Sequence, residues 1–232
     1  MKQTIWNNLV NLFYPNLCLL CEKPLIEHEQ QLCLHCLYDL PRANYHKRPD
    51  NPILKLYAGI PQLQKAAGFL LYEKEGKVQS LIHSFKYRNN KQLAKQLGRI
   101  AASELQTDNF FNDIDLLVPV PLHPKKERKR GYNQSEWIAQ GIASFTNKPI
   151  VSDILFRTIH TTTQTSKLRY ERHLNVEKIF SLHNTKSFEN KHILLIDDVI
   201  TTGATSLSCI ETLANVPDIR ISLFALSIVE IR

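Results

Sequence analysis

The chain has 232 residues, of which 43% are hydrophobic and 22% are charged, and its formal net charge is +7. This composition excludes an intrinsically disordered chain and a chain dominated by membrane spans, and it is typical of a globular protein with one full α/β domain and a small appendage. The positive charge favours an anionic partner, either a polyphosphate or a nucleic-acid backbone, and charge alone does not separate these two classes.

The N-terminal segment carries an apolar stripe at helical spacing. It predicts an amphipathic helix docked on the rest of the protein, with a helix on a membrane surface as the alternative. Asparagines interrupt the apolar run and no small-residue cleavage site follows, so the sequence argues against a secretory signal and predicts a cytoplasmic protein without a membrane span. The stripe consists of Ile5, Leu9, Leu12 and Phe13.

Four of the five cysteines form two C-x-x-C pairs separated by eleven residues. In a cytoplasmic chain this spacing favours a structural zinc ion bound by four thiolates, ahead of two disulfides or a redox pair. His28 and His35 lie close enough in sequence to replace one of the thiolates. Cys209 stands alone and is interpreted as a small buried residue. The predicted zinc ligands are Cys18, Cys21, Cys33 and Cys36.

Prolines and scattered polar residues between Leu40 and Pro61 predict an irregular connection. We therefore divide the chain near residue 60. Residues 1–60 are expected to hold the amphipathic helix, the zinc module and the linker, and residues 61–232 are expected to form the α/β domain.

Alternating strand and helix patterns after residue 60 predict a parallel α/β sheet. Prolines end the second strand, because proline cannot donate to a hydrogen-bond ladder. The predicted strands are 66–72, 115–121, 154–156, 176–182, 193–196 and 219–229, and the predicted helices are 78–85, 92–105 and 206–213.

Basic residues concentrate at two places in this domain. Lys86 belongs to a basic corner between the first two helices, and positions 125–130 hold five basic side chains and one acid. Both could be ordinary solvated charges. The second run, however, follows the carboxyl end of a strand and precedes a helix that Ser135 could cap. We therefore interpret it as a loop that binds a second anionic group, such as pyrophosphate.

From Arg157 to Asn175 the sequence is polar, with several threonines and a second arginine at Arg172. It shows no helix or strand pattern. Loops of this length in compact domains are usually functional, so the segment is interpreted as a lid that closes over a substrate, with an ordinary surface loop as the alternative.

The stretch 193–205 carries the strongest functional signal. Its aliphatic residues predict a strand buried on both faces, and the small, hydroxyl-rich residues that follow predict a tight loop that opens a helix. A helix N-terminus stabilises phosphate, and Gly203 lets the backbone approach it. Asp197 and Asp198 suit sugar hydroxyls or a hydrated Mg²⁺, although seen alone they could merely cap the helix. Together these residues predict a sugar-phosphate site.

This stretch resembles the phosphoribosyl pyrophosphate (PRPP) motif of the type I phosphoribosyltransferases, and the whole chain is similar to the ComF family of ComFC/GntX-like bacterial proteins. Four features in a fixed order carry the resemblance. They are the double C-x-x-C, the strand Val118–His123 that continues to Arg130–Gln134, the segment Arg157–Val176, and the PRPP motif.

The resemblance implies a type I phosphoribosyltransferase-like parallel sheet, preceded by a double zinc ribbon-like module. In that class two acidic residues hold the ribose hydroxyls, with Mg²⁺ nearby, and the loop after them holds the 5-phosphate. Here the acidic pair would be Asp197 and Asp198, which we also expect to act in catalysis together with Arg130 and Arg157. The other expected PRPP contacts are Thr201, Thr202, Gly203, Ala204, Thr205, Arg128, Lys86 and Arg172.

Three functions follow from this resemblance and the residues. The first is a phosphoribosyltransferase with an unidentified acceptor, acting in DNA uptake during natural transformation, with which some family members are linked. The second is a module that senses PRPP without turning it over. The third is an accessory protein that binds single-stranded DNA and cooperates with DNA-uptake proteins.

Overall fold

The computed structural model describes residues 15–158 and 179–231. The predicted N-terminal amphipathic helix and most of the predicted lid, including Arg172, lie outside these residues. No helix in the described ranges has the length and apolarity needed to cross a lipid bilayer.

The chain after residue 60 contains the strands of the fold, with single helices or pairs of helices between most of them. The strands are β1 Leu63–Tyr72, β2 Leu116–Pro119, β3 Leu155–Arg157, β4 Phe180–Leu182, β5 His192–Ile200 and β6 Arg220–Val229. The α-helices are α1 Leu34–Tyr38, α2 Pro52–Leu56, α3 Lys77–Tyr87, α4 Lys91–Gln106, α5 Pro124–Arg130, α6 Gln134–Thr146 and α7 Ala204–Leu213, with 3-10 turns at Tyr45–Lys47 and Thr185–Phe188.

The main sheet has the strand order β1-β6-β5-β2, and each neighbouring pair is parallel. Strand β5 is interior, and its side chains alternate between two cores. Leu194 and Ile196 pack with helices on one face, whereas Ile193 and Leu195 pack on the other, and all four are fully buried. The expected α/β class, with a parallel sheet covered by helices, is confirmed.

Strands β3 and β4 do not join this sheet. They pair with each other in antiparallel orientation, with Leu155 opposite Leu182 and Arg157 opposite Phe180. The expectation of one parallel sheet built from every strand pattern is therefore wrong for these two short strands. Their partner choice depends on long-range contacts that an apolar run of three residues does not encode.

Helices α4 and α6 approach each other closely through two glycines. A Cβ atom placed on Gly141 would lie 2.1 Å from the Lys95 carbonyl oxygen, and one placed on Gly98 would lie 2.4 Å from the Ile138 carbonyl oxygen. Both distances are far below ordinary van der Waals contact, so the two backbones can be this close only because neither residue has a side chain.

Residues of the predicted linker pack on the outer edge of the sheet. The Leu71 N–H donates to the Pro41 carbonyl at 2.9 Å, and the Ala43 N–H donates to the Phe69 carbonyl at 3.0 Å. Beside them, Arg42 forms an ion pair with Glu104 of α4, with an N–O distance of 2.8 Å. The domain boundary near residue 60 stays a prediction, and the chain before it covers the free edge of β1.

Candidate functional site

The loop between β5 and α7 is built for a close backbone approach. It spans residues 201–203, and Gly203, at the N-cap position of α7, has a φ of +75°, in the left-handed region that favours glycine. Thr201 and Thr202 are exposed on this loop. The helix begins at Ala204, two residues before its predicted start, so its N-terminus adjoins the glycine directly.

Tyr57, which precedes the α/β domain in sequence, lies beneath this loop. Its hydroxyl is 2.7 Å from Ser206 Oγ, which in turn donates to the Gly203 carbonyl at 3.1 Å. A Cβ on Gly203 would lie 2.8 Å from the Tyr57 hydroxyl oxygen. Burial raises the pKa of Tyr57 to about 12, so its hydroxyl stays neutral. Sequence reasoning missed this residue, because nothing in a proline-rich linker indicates that one tyrosine folds back under a distant loop.

The two aspartates lie near the carboxyl end of β5. Asp197 is 8% exposed, and its Oδ1 accepts a hydrogen bond from the Asp198 N–H at 2.8 Å. Lys86, in the last turn of α3, places its Nζ 2.7 Å from Asp198 Oδ2. Burial, and then the negative charge of Asp198, raise the pKa of Asp197 to about 7. Without a ligand, therefore, Asp198 is held by Lys86 and Asp197 is poised between its two protonation states.

Four cations lie close enough to act on one another, and two of them also act on the acidic pair. Partial burial lowers the pKa of Lys126, and the positive charges of Arg157, Arg130 and Lys86 lower it further. The charges of Lys86 and Arg157 also stabilise the Asp197 carboxylate. Since this group holds four positive charges beside two carboxyl groups, the region has an excess of positive charge that an anionic ligand would neutralise.

The basic run forms a helix, and the expectation of a loop is wrong. Helix α5 has Pro124 in its first turn and His123 as its N-cap, a combination that favours helix initiation. Its helical turn brings Lys126 and Arg130 to the same side, four residues apart, and leaves Arg128 exposed on the other. The structure thus places Arg130 beside Lys126, which was not singled out from the sequence, and leaves Arg128 on the exposed side of the helix.

The turn after α5 contributes a buried amide. Asn133, not Ser135 as expected, caps α6 by accepting the Ser135 N–H at 3.1 Å. The neighbouring Gln134 is 1% exposed and accepts a hydrogen bond from Arg130 at 2.6 Å. Its Nε2 atom has no acceptor in the part of the chain that the structure describes. A buried donor of this kind calls for a ligand or water acceptor.

Aromatic residues near the site differ in their availability. Tyr132 is 5% exposed and its hydroxyl donates to the Phe85 carbonyl, so its ring is part of the core. Tyr87 is 69% exposed, and the Arg130 guanidinium carbon lies 5.6 Å from its ring centre. Arg157 lies at the end of β3, 5.4 Å from the ring centre of Phe180. Of these two tyrosines, therefore, only Tyr87 exposes its ring to solvent.

Four thiols cluster at the start of the described chain. Their sulfur atoms all lie within 4.8 Å of one another, and those of Cys21 and Cys33 are 3.7 Å apart. Tetrahedral zinc bound at about 2.3 Å would place its sulfur ligands about 3.8 Å apart, so this cluster could hold a zinc ion. Both histidines that could replace a thiolate, His28 and His35, stand outside it. The cluster consists of Cys18, Cys21, Cys33 and Cys36.

Cys18 and Cys36 differ in how readily their thiols lose the proton that a metal ion must displace. Burial raises the pKa of Cys18, but N–H groups that point at its sulfur, the first from Cys33, outweigh burial and lower the pKa to about 6. Burial and the neighbouring thiols raise the pKa of Cys36. Zinc binding would therefore release protons, and more of them from Cys36 than from Cys18.

The raised pKa of the buried Asp197 carboxyl predicts how the stability of the protein changes with pH. The Asp197 carboxyl has an ordinary pKa of 3.8 in the unfolded chain and a pKa of about 7 in the folded protein. Between pH 3.8 and pH 7, therefore, this carboxyl is protonated in the native state and ionised in the unfolded state. The free energy of unfolding should therefore fall as pH rises from 5 to 8, by roughly 2 kcal/mol more in the wild type than in Asp197→Asn. Urea unfolding followed by circular dichroism at both pH values measures this difference. Parallel pH profiles for the two proteins would contradict it.

Curated relatives of the chain are competence and DNA utilization proteins. Competence protein F of Haemophilus influenzae is 32% identical over 129 residues, which cover 54% of this chain and 56% of that protein. DNA utilization protein YhgH of Escherichia coli K12 is 26% identical over 211 residues, covering 84% and 88%. Competence protein ComFC of Bacillus subtilis is 35% identical over 103 residues, covering 44% and 38%. The resemblance to the ComF family is confirmed, and the match spans about half the length of the Haemophilus protein.

No family model matches the chain. Solved structures similar to it include the allosteric regulatory enzyme of purine biosynthesis, with a TM-score of 0.37 and 22% identity over 56% of this chain and 25% of that one. They also include a hypoxanthine phosphoribosyltransferase from Staphylococcus aureus, with a TM-score of 0.37 and 12% identity over 60% of this chain and 74% of that one.

Proposed function

We propose that this relative of the competence proteins binds PRPP with Mg²⁺ at the junction of β5 and α7, and transfers the phosphoribosyl group to an acceptor during DNA uptake. The observation that carries the proposal is the juxtaposition of an acidic pair, a glycine-opened helix N-terminus and four neighbouring cations. Each of these fits a different part of one molecule: ribose hydroxyls, the 5-phosphate and the pyrophosphate.

Different residues of the site would bind the three parts of PRPP. The backbone at Gly203 and the exposed threonine hydroxyls around it would bind the 5-phosphate. Asp197 and Asp198 would accept hydrogen bonds from the two ribose hydroxyls. Lys126 and Arg130, on one side of α5, would neutralise the pyrophosphate together with cations from α3 and β3. These last two cations are Lys86 and Arg157.

The donor set also fits Mg²⁺ that arrives with its substrate. Mg²⁺ usually keeps several waters and takes one or two carboxylates plus phosphate oxygens, and the site offers two carboxylates. In the described residues, the four thiols are the one group of three or more ligating side chains, so an all-protein magnesium cage is not present there. When bound, Mg²⁺ would neutralise charge on the departing pyrophosphate.

Catalysis would follow from stabilising a separating pair of charges. The bond between ribose C1 and the pyrophosphate oxygen breaks, the bond electrons leave with pyrophosphate, and the ribose gains oxocarbenium character until the acceptor bonds to C1. Arg130 and Lys126 would stabilise the leaving group, because its negative charge grows in the transition state. Asp198 would be released from Lys86 to face the ribose, and Lys86 would turn to phosphate.

Calorimetry with PRPP and Mg²⁺ tests the binding step. Asp198→Asn combined with Thr202→Ala is expected to weaken PRPP binding at least about 100-fold, because a charge-assisted contact to ribose and a hydroxyl contact to phosphate are both lost. Asp153→Asn, an exposed change away from the site, serves as the control and should bind like the wild type. Unchanged affinity in the double variant would refute the proposal.

The products formed from PRPP distinguish a transferase from a module that only senses PRPP. A transferase releases pyrophosphate only when PRPP and a suitable acceptor are both present, whereas a PRPP-sensing module binds PRPP and leaves it intact. Pyrophosphate release across a panel of acceptors, compared with that of the double variant Asp198→Asn, Thr202→Ala, discriminates the two. The same chain would be cytoplasmic in either case.

Binding of single-stranded DNA is the second candidate function. The net charge of +7 and the names of the relatives favour it. It requires an affinity that falls steeply with salt, because counterions are released from the DNA backbone. An anisotropy titration with a fluorescent oligonucleotide at several salt concentrations measures this slope, and a flat response would exclude the function.

A further inference from the structure

A second, separate cleft lies between the cysteine module and helices α4 and α6. It has a volume of about 410 Å³, in the range of small-ligand pockets. Two of its residues come from the loop between the two C-x-x-C pairs, five come from α4 and one comes from α6. Its lining consists of His28, Gln30, Gln92, Lys95, Gln96, Arg99, Ile100 and Ser144.

The lining carries donors and positive charge but no carboxylate. Lys95 and Arg99 are one helical turn apart on α4, so their cationic groups can reach the same anion. Three glutamine amides surround them, and the buried Oε1 of Gln96 has no partner in the described residues.

The two walls of the cleft are fixed to each other. The Asn90 side chain caps α4 by accepting the Leu93 N–H, and it donates to Gln31 Oε1 of the cysteine module at 2.8 Å. His28 has a φ of 76°, so the loop turns sharply where its imidazole enters the lining. The cleft is therefore a preformed feature that needs both the module and α4.

We propose that this cleft binds a phosphate-bearing nucleotide, either free or as a unit of a nucleic-acid chain. Lys95 and Arg99 bind the phosphate, the glutamine amides hydrogen-bond the edge of the base, and Ile100 offers the apolar contact that a ring requires. The volume exceeds what a lone phosphate fills. The proposal does not rest on PRPP binding, because the cleft shares no residue with the β5–α7 site.

The test measures nucleotide binding with the full-length protein. Calorimetry with AMP examines the free nucleotide, and anisotropy with a fluorescein-labelled (dA)12 examines the nucleic-acid chain. The cleft variant is Lys95→Gln with Arg99→Gln. Its matched control is Lys74→Gln with Lys186→Gln, which removes the same charge from two exposed positions elsewhere. A third variant, Lys86→Gln with Arg130→Gln, removes the same charge from the β5–α7 site.

The expected result is a loss of at least about tenfold in affinity for the cleft variant, with the other two variants within about twofold of the wild type. Far-UV circular dichroism and metal content verify that each variant is folded. AMP binding that the cleft variant loses identifies a free nucleotide as the ligand of the cleft, and loss of (dA)12 binding alone identifies the nucleic-acid chain. The proposal is overturned if neither probe binds the wild type at millimolar concentration, or if the cleft variant keeps the wild-type affinity for both probes.

Discussion

Replacing Gly141 by valine is expected to destabilise the protein by at least about 3 kcal/mol. The Cβ of any side chain there would stand 2.1 Å from the Lys95 carbonyl oxygen and 2.8 Å from the Arg99 nitrogen, which are backbone atoms of α4. Neither can rotate away, so α4 and α6 would have to move apart and leave voids in the core that they share. Urea unfolding monitored by circular dichroism measures the loss.

The control for this substitution is Gln140→Val on the same helix. It introduces the same β-branched residue at a half-exposed position, so its cost should be limited to helix propensity, about 0.5 kcal/mol. Equal stabilities for the two variants would mean that the helices are not in contact at Gly141.

Removal of the metal from the four-cysteine cluster is expected to cost several kcal/mol of stability, because metal binding to such a cluster contributes directly to folding. Cys18 and Cys36 belong to the same apolar core as helices α3 and α4, so the loss would extend beyond the module. We expect one zinc per chain in the wild type and almost none in Cys18→Ser with Cys36→Ser. Elemental analysis and thermal unfolding before and after chelation provide the measurements.

Cys209→Ala is the matched control for the cysteine substitutions. Cys209 is a fully buried residue of α7 and lies outside the cluster, so its variant should keep its zinc and respond to the chelator as the wild type does. A protein whose melting temperature is the same with and without chelator would contradict a structural role for the metal.

The sequence predictions that the structure confirms rest on patterns contained within short segments of the chain. Strand β5 is recognisable because an interior strand is buried on both faces and its sequence is a continuous aliphatic run, Ile193–Ile196. The four cysteines are recognisable because their spacing fixes pairs of ligands on adjacent turns. Both signals are contained in short segments, so no knowledge of the remaining chain was needed.

Features that depend on distant segments could not be predicted in the same way. Tyr57 contacts Ser206, which is 149 residues further along the chain, and β3 pairs with β4 rather than with the main sheet, although neither local sequence indicates its partner. The basic run is a different case, because its signal was present. Proline in the first turn, followed by lysine, glutamate and arginine with their high helix propensity, indicates a helix, and helical spacing would have selected Lys126 with Arg130 and set Arg128 apart.

The support of the β5–α7 loop by Tyr57 has a consequence for dissecting the protein. A fragment that starts at residue 61 would contain every residue of the PRPP motif and still lack the hydroxyl that contacts Ser206, as well as the backbone partners of Phe69 and Leu71. The boundary suggested by composition is therefore a poor place to sever the chain. The excised α/β half would carry an unsupported β5–α7 loop and an unprotected strand edge open to aggregation.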